Sequence, residues 1–253
     1  MSLILALETA TPVCSATLAR DGEILSLLES NAPNAHSSVL TVFIEELFRE
    51  ASLRYADLDA ISVSMGPGSY TGLRIGVAAA KGLCFALDKP LIAIPTLEAM
   101  AAGMIYELGI TNYEFSNLLE NPVSGIRHQA SKPETLFCPM IDARRMEVYC
   151  AVYDKNLKEI RSTEALLVEK HSFDDLLAAH AILFAGTGAE KCRELLSHKS
   201  NALFLENFQA SARFMIALSE TRFVKNQLEN LAYFEPFYLK NFIAGKPKVK
   251  GLN

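Results

Sequence analysis

The chain has 253 residues, 50% apolar and 21% charged, which is ample material for one large soluble domain or two moderate ones. Its net charge of -5 excludes a general electrostatic drive toward nucleic acid, so any RNA contact needs a local patch or a partner. Five cysteines (Cys14, Cys84, Cys138, Cys150, Cys192) are scattered and never spaced Cys-x-x-Cys, which fits a reducing cytoplasm and not a zinc site.

No apolar run reaches transmembrane length and the chain enters a strand at once, so a cytoplasmic protein with no membrane partner and no signal peptide is expected. Residues 3–7 are apolar on both faces, as a central strand is. Residues 14–20 and 23–28 read as two strands joined by Asp21-Gly22, a strong hairpin signal. After a loop at 31–34, residues 37–51 are helical, with Leu40, Phe43, Ile44, Leu47, Phe48 and Ala51 on one stripe. Val39 and Val42 widen that stripe beyond what one sheet contact requires, so a second helix or a second chain would use the surplus. Residues 59–65 and 90–95 are buried strands, and Thr96 is expected to cap a helix with Glu98 in its first turn.

Between those two strands lies the most distinctive stretch, Ser64 to Gly82. Gly66-Pro67-Gly68 is a turn, and Ser69 or Thr71 can cap a helix that runs to about residue 87. Gly72, Gly76 and Ala80 recur every four residues and leave one helical face nearly bare. Two interior glycines cost about 2 kcal/mol relative to alanine, so something must offset them. Either another backbone packs unusually close, or an anion sits on the amides at the helix start. Neither the Walker loop nor the dinucleotide fingerprint fits the spacing, because Thr71 stands where each requires glycine. Close packing is the better account.

Residues 109–133 are polar, broken by glycine and proline, and read as a mobile linker or insertion. A second series follows: strands at 136–142, 147–154 and 157–168, a short helix at 172–179, a strand at 181–185, and a helix at 188–197. The order of the first half is thereby repeated, with an acid ending the first strand of each copy (Glu8, Asp142) and a turn aspartate after the second (Asp21, Asp154). Duplication with a cleft between the halves is the implied architecture. The expected division is 1–108, the linker 109–133, 134–239, and a basic tail 240–253 carrying Lys240, Lys246, Lys248 and Lys250. A further helix at 210–226 could pack on either half.

The repeated order, taken with Met65-Gly-Pro-Gly-Ser-Tyr-Thr-Gly-Leu-Arg-Ile-Gly76, resembles the bacterial TsaB (YeaZ) family, accessory subunits in making threonylcarbamoyladenosine on transfer RNA. Ile4-Leu-Ala-Leu-Glu-Thr-Ala-Thr11, Pro95-Thr-Leu-Glu-Ala99 and Ile141-Asp-Ala-Arg-Arg-Met-Glu-Val-Tyr149 also match, over most of residues 1–200. The resemblance implies an α/β chain with the duplicated actin/Hsp70-like (ASKHA) nucleotidase fold, two subdomains and a degenerate active site. It also implies a non-catalytic scaffold for the TsaD-type subunit that transfers threonylcarbamoyl to an adenosine of transfer RNA. Other expected partners are a TsaE-type P-loop ATPase, transfer RNA only within the complex, and a second copy when the chain is alone. ATP and metal are expected on the partner subunits and no cofactor on this one. The alternative is an active ATP-dependent kinase or ATPase of the same fold; a peptidase finds no Ser/His/Asp or metal set.

Compared with active members of the fold, Glu8-Thr9-Ala10-Thr11 carries a longer carboxylate and no glycine, and Asp142-Ala-Arg-Arg-Met146 puts bulky residues where amides should wrap phosphate. Glu8, Thr9, Asp142, Arg144, Gly186 and Gly188 are therefore the candidate residues of a vestigial nucleotide cleft. The catalytic relative's His-x-x-x-His falls here on Thr96 and Met100, which cannot hold its metal. Val39, Val42, Phe43, Gly72, Gly76 and Ala80 are the expected partner and dimer interface. His36 is read as a capping or surface residue, and His128, His171, His180 and His198 as surface residues.

Overall fold

A computed structural model describes residues 2–32, 36–109 and 135–240. The linker expected at 109–133 thus lies outside the described residues apart from Gly109, as do the tail beyond Lys240 and His128.

Strands β1 (Leu3–Glu8), β2 (Cys14–Arg20) and β3 (Glu23–Ser30) form an antiparallel meander. Asp21 and Gly22 turn its first hairpin at φ 51° and 83°, the left-handed backbone that Asp-Gly adopts readily. β4 (Ala60–Gly66) and β5 (Leu91–Pro95) then add in parallel on the other side of β1, giving the order β3-β2-β1-β4-β5. β1 is buried at every position because it is central and covered on both faces, which explains its unbroken apolar run. The second sheet repeats the plan with β6 (Thr135–Asp142), β7 (Glu147–Tyr153), β8 (Glu159–Leu167), β9 (Ala181–Ala185) and β10 (Ala202–Leu205), ordered β8-β7-β6-β9-β10. The four-residue β10 is too short to show alternation and went unread in the sequence.

Helices α1 (His36–Ala51) and α2 (Tyr70–Leu87) cover one face of the first sheet, where Leu40, Ile44, Leu47, Val77 and Ala80 meet Leu5, Leu7 and Val63. α4 (Asp174–Leu177) and α5 (Thr187–Leu196) serve the second sheet. α3 (Thr96–Glu107) lies between the two sheets. Its Leu97, Met100 and Met104 pack with Phe137, Ile141 and Leu183, while Ala99 and Ala102 pack with Ile4, Ala6 and Ile92. An inner helix is mostly apolar, and the two acids of α3, Glu98 and Glu107, are paired with Arg222 and Arg213. Gly103 admits the Phe214 ring, whose Cδ2 would stand 2.5 Å from an added Cβ.

Two expectations are corrected here. Thr96 is the first residue of α3 and not its cap; its hydroxyl accepts the Gly66 amide at 3.1 Å and so pins the end of β4. The helix expected at 210–226 is a 3-10 turn (Ala212–Met215) followed by α6 (Ile216–Val224). Both pack on the first sheet, with Ala212, Met215, Ile216 and Leu218 in one cluster with Ile4 and Ala6. A division ending at residue 239 therefore cuts across the packing.

The chain then runs back as a strap over the first half. The Glu229 amide donates to the Leu91 carbonyl on edge strand β5, and Phe234 enters the core beneath α2. The Phe237 amide reaches the Met65 carbonyl at 2.7 Å, and Lys240 crosses to Glu147 on the second sheet.

Candidate functional site

The acid at the end of β1 is Glu8, 1% exposed. Its Oε1 accepts the Ala10 amide at 2.5 Å, while Oε2 is buried without a partner among the described residues. Burial disfavours the charged form and pushes the carboxyl from 4.5 up to about 7, against the smaller pull of the Ala10 amide, the Ser64 hydroxyl and the Thr11 amide. A carboxyl half protonated at neutrality and enclosed by protein is a poor ligand for a magnesium ion, which favours ionised oxygen and bound water. Burial, with a smaller contribution from Glu8, also raises the Cys14 thiol to about 11, so that cysteine is inert.

The glycine helix packs on the two residues that follow Glu8. Ser69 is the N-cap of α2 and its Oγ accepts the Gly72 amide at 3.3 Å. The Ser69 amide donates to the Ala10 carbonyl at 2.7 Å, and the Thr9 hydroxyl donates to the Gly72 carbonyl at 2.8 Å. A Cβ added at Gly68 would overlap the Ala10 backbone, one at Gly72 the Thr9 carbonyl, and one at Gly76 the Thr9 side chain. The unusually close neighbour is thus this chain's own β1–β2 connection. His36 fastens the same connection to α1, its Nε2 donating to the Thr11 carbonyl at 2.8 Å.

This corrects the expected interface at three positions. Gly72, Gly76 and Ala80 are buried inside the chain and are not available to a partner. The outward face of α2 carries Thr71, Ala78, Gly82 and Phe85, and Phe85 is 84% exposed. Nothing lies within 4 Å of a Cβ added at Gly82. Beside this face, Val42 of α1 is 53% exposed. Val39 and Phe43 are partly buried with Ile75, Ala79 and Leu83. The signal for that second stripe was present in the sequence, since 71, 78, 82 and 85 also share one side of a helical wheel.

The second half offers a different arrangement. Asp142 at the end of β6 is paired with Lys191 of α5, its amide donates to the Thr187 hydroxyl at 3.1 Å, and its Oδ1 accepts the Arg144 amide at 2.8 Å. Gly186, at φ 94°, and Gly188 lie against β6: added Cβ atoms would stand 2.5 Å from the Met140 carbonyl oxygen and 2.9 Å from the Met140 and Val148 side chains. They bring α5 onto the sheet and do not line an open cleft, which corrects their assignment to a nucleotide site. Arg144 and Arg145 are exposed at the hairpin tip. A cavity of about 640 Å³ opens elsewhere, among Val13, Glu29, Glu107, Phe208 and Arg213, and none of the six expected cleft residues lines it. Among the described residues, no three His, Cys, Asp or Glu side chains gather closely enough to hold a metal ion.

Two sheets of identical strand order, each with its first strand ending in an acid and with α3 between them, define the duplicated actin/Hsp70-like (ASKHA) class. Residues 29–115, which include both outer helices, match the family model described as TsaD, tRNA N6-adenosine threonylcarbamoyltransferase. The tRNA threonylcarbamoyladenosine biosynthesis protein TsaB of Escherichia coli is 28% identical over 96% of each chain, and that of Haemophilus influenzae 27% identical over 96% of this chain and 95% of its own. The crystal structure of YeaZ from Pseudomonas aeruginosa superposes with a TM-score of 0.75 at 25% identity, covering 94% of this chain and all of that one. Over nearly its whole length the chain is thus similar to proteins named TsaB or YeaZ.

Proposed function

We propose that this chain takes part in making threonylcarbamoyladenosine on transfer RNA, and that it acts there as a non-catalytic scaffold for a TsaD-type catalytic subunit. The observation that carries this reading is the exposed surface of α1 and α2, which carries Phe85 at 84% and Val42 at 53% exposure together with the small exposed residues Ala78 and Gly82. Small residues let a second pair of helices approach closer than the usual 8–10 Å or so, and Phe85 supplies an anchor for a partner's pocket. The TsaD match falls on this same helix pair, so a TsaD-type subunit presents a related surface and the two can pair with near two-fold symmetry. Alone, the same face pairs with a second copy. A TsaE-type ATPase and transfer RNA join through the assembled complex, and ATP and metal belong to those partners. Against catalysis by this chain weigh the enclosed Glu8, the glycine helix seated on Thr9 and Ala10, and the Lys191 ammonium on Asp142.

The test is the pair Phe85→Asp and Gly82→Leu, examined by thermal melting and by sedimentation with and without a TsaD-type subunit. Both positions face solvent, so melting should change little while self-association and partner binding fall at least tenfold. Undiminished binding by both variants would defeat the reading.

A further inference from the structure

The hairpin between β6 and β7 carries a basic tip that nothing above uses. Arg144 and Arg145 sit side by side at φ 70° and 52°, the left-handed region that Asn-Gly adopts easily and that side chains such as arginine resist. The tip is nonetheless firmly held. Asp142 Oδ1 takes the Arg144 amide at 2.8 Å, the Ala143 amide reaches the Glu147 carbonyl at 3.0 Å, and the Val168 amide reaches the Met146 carbonyl at 3.0 Å. A costly conformation fixed from three sides presents two guanidinium groups to solvent, with Met146 exposed beside them.

The surrounding charges leave these arginines unmatched. The acids flanking the tip, Asp142 and Glu147, are paired with Lys191 and Lys240. Lys191 also donates to the Glu147 carbonyl at 2.8 Å. Neither Arg144 nor Arg145 has an ion pair among the described residues, so the hairpin carries an excess of positive charge on a chain of net charge -5. A small basic point on an acidic protein is poorly suited to general attraction and well suited to a local anion.

The geometry points to the Arg144-Arg145 tip as a contact for the phosphate backbone of RNA within the modification complex. The inference rests on the scaffold reading for the identity of that RNA. Two adjacent guanidinium forks can each take a phosphate bidentately, which a lysine pair cannot. Contacts of this kind position the nucleic acid and carry no sequence information, so binding here is insensitive to sequence and sensitive to salt.

The variant Arg144→Asn/Arg145→Gly removes both charges and installs residues that favour the same backbone, so its melting temperature should hold or rise. The full chain, wild type or variant, is mixed with a TsaD-type subunit, and the complex is measured by sedimentation before RNA is added. A fluorescently labelled tRNA transcript is then titrated at several salt concentrations. The expected result is an intact complex, about tenfold weaker RNA binding, and a log–log salt slope shallower by one to two. Arg144→Lys/Arg145→Lys should restore part of the affinity. Unchanged affinity and slope would overturn the proposal. So would a variant that loses the protein complex but not RNA binding, since the tip would then serve an acidic protein surface. Failure of the scaffold reading shows separately, as wild type that forms no complex; the titration is then run on the isolated chain, where the same loss is expected.

Discussion

Replacing Glu8 by glutamine tests how completely the first hairpin has been withdrawn from anion and metal chemistry. In the folded chain this carboxyl stands near 7 against an ordinary 4.5, because burial disfavours its charge more than its hydrogen bonds favour it. Between those values the folded state keeps a proton that the unfolded state has released. Its contribution to stability is therefore fully present below pH 4.5 and is lost as pH rises through about 7. The gap corresponds to about 3 kcal/mol once both states are ionised. Glutamine keeps an acceptor for the Ala10 amide and carries no proton to lose. Urea unfolding of both proteins from pH 5 to pH 8 is the assay, and the informative quantity is the change with pH of the difference between them. Any fixed penalty for burying the amide cancels from that change. The variant should gain on the wild type by about 2.5 kcal/mol across the range, the rest of the gap falling below pH 5. Parallel pH profiles would refute the reasoning, because they would mean that Glu8 is ionised in the folded chain and has a cation or water that neutralises it.

Two further outcomes are expected. Gly72→Ala should destabilise the fold by about 1–3 kcal/mol in urea unfolding, even though alanine favours a helix by about 1 kcal/mol, because its Cβ meets the Thr9 carbonyl; the folded fraction should still self-associate, and a stable variant that cannot pair would refute this. ATP should not bind tightly to the isolated chain, and low-micromolar binding in calorimetry that is lost in Glu8→Gln would contradict the account of the closed hairpin.

Most of the fold was legible because its signals are local. The Asp21-Gly22 hairpin, the stripe of α1 and the repeated strand order each follow from neighbouring residues. The glycine helix was legible only in part. Periodicity shows that Gly72, Gly76 and Ala80 share a side and need a close neighbour, but it does not say whose backbone that is. Burial against Thr9 answers the question and leaves Ala78, Gly82 and Phe85 on the outward face. The pairing of Asp142 with Lys191 and the docking of α6 on the first sheet join residues far apart in the chain, and no window of sequence contains them. Gly186 and Gly188 misled because a glycine pair after a strand serves packing and phosphate equally well.

The strap that ends the described chain has a consequence in time. Ribosomes deliver the first sheet early, and N-terminal units commonly fold as they emerge. Here the inner face of that sheet waits for Ala212, Met215, Ile216 and Leu218, and its outer core waits for Phe234. The exposed edge of β5 stays open until Glu229 arrives to pair with Leu91. The part of the protein made first is therefore among the last to be completed, and a nascent chain stopped short of residue 229 would present an unguarded strand edge to its neighbours.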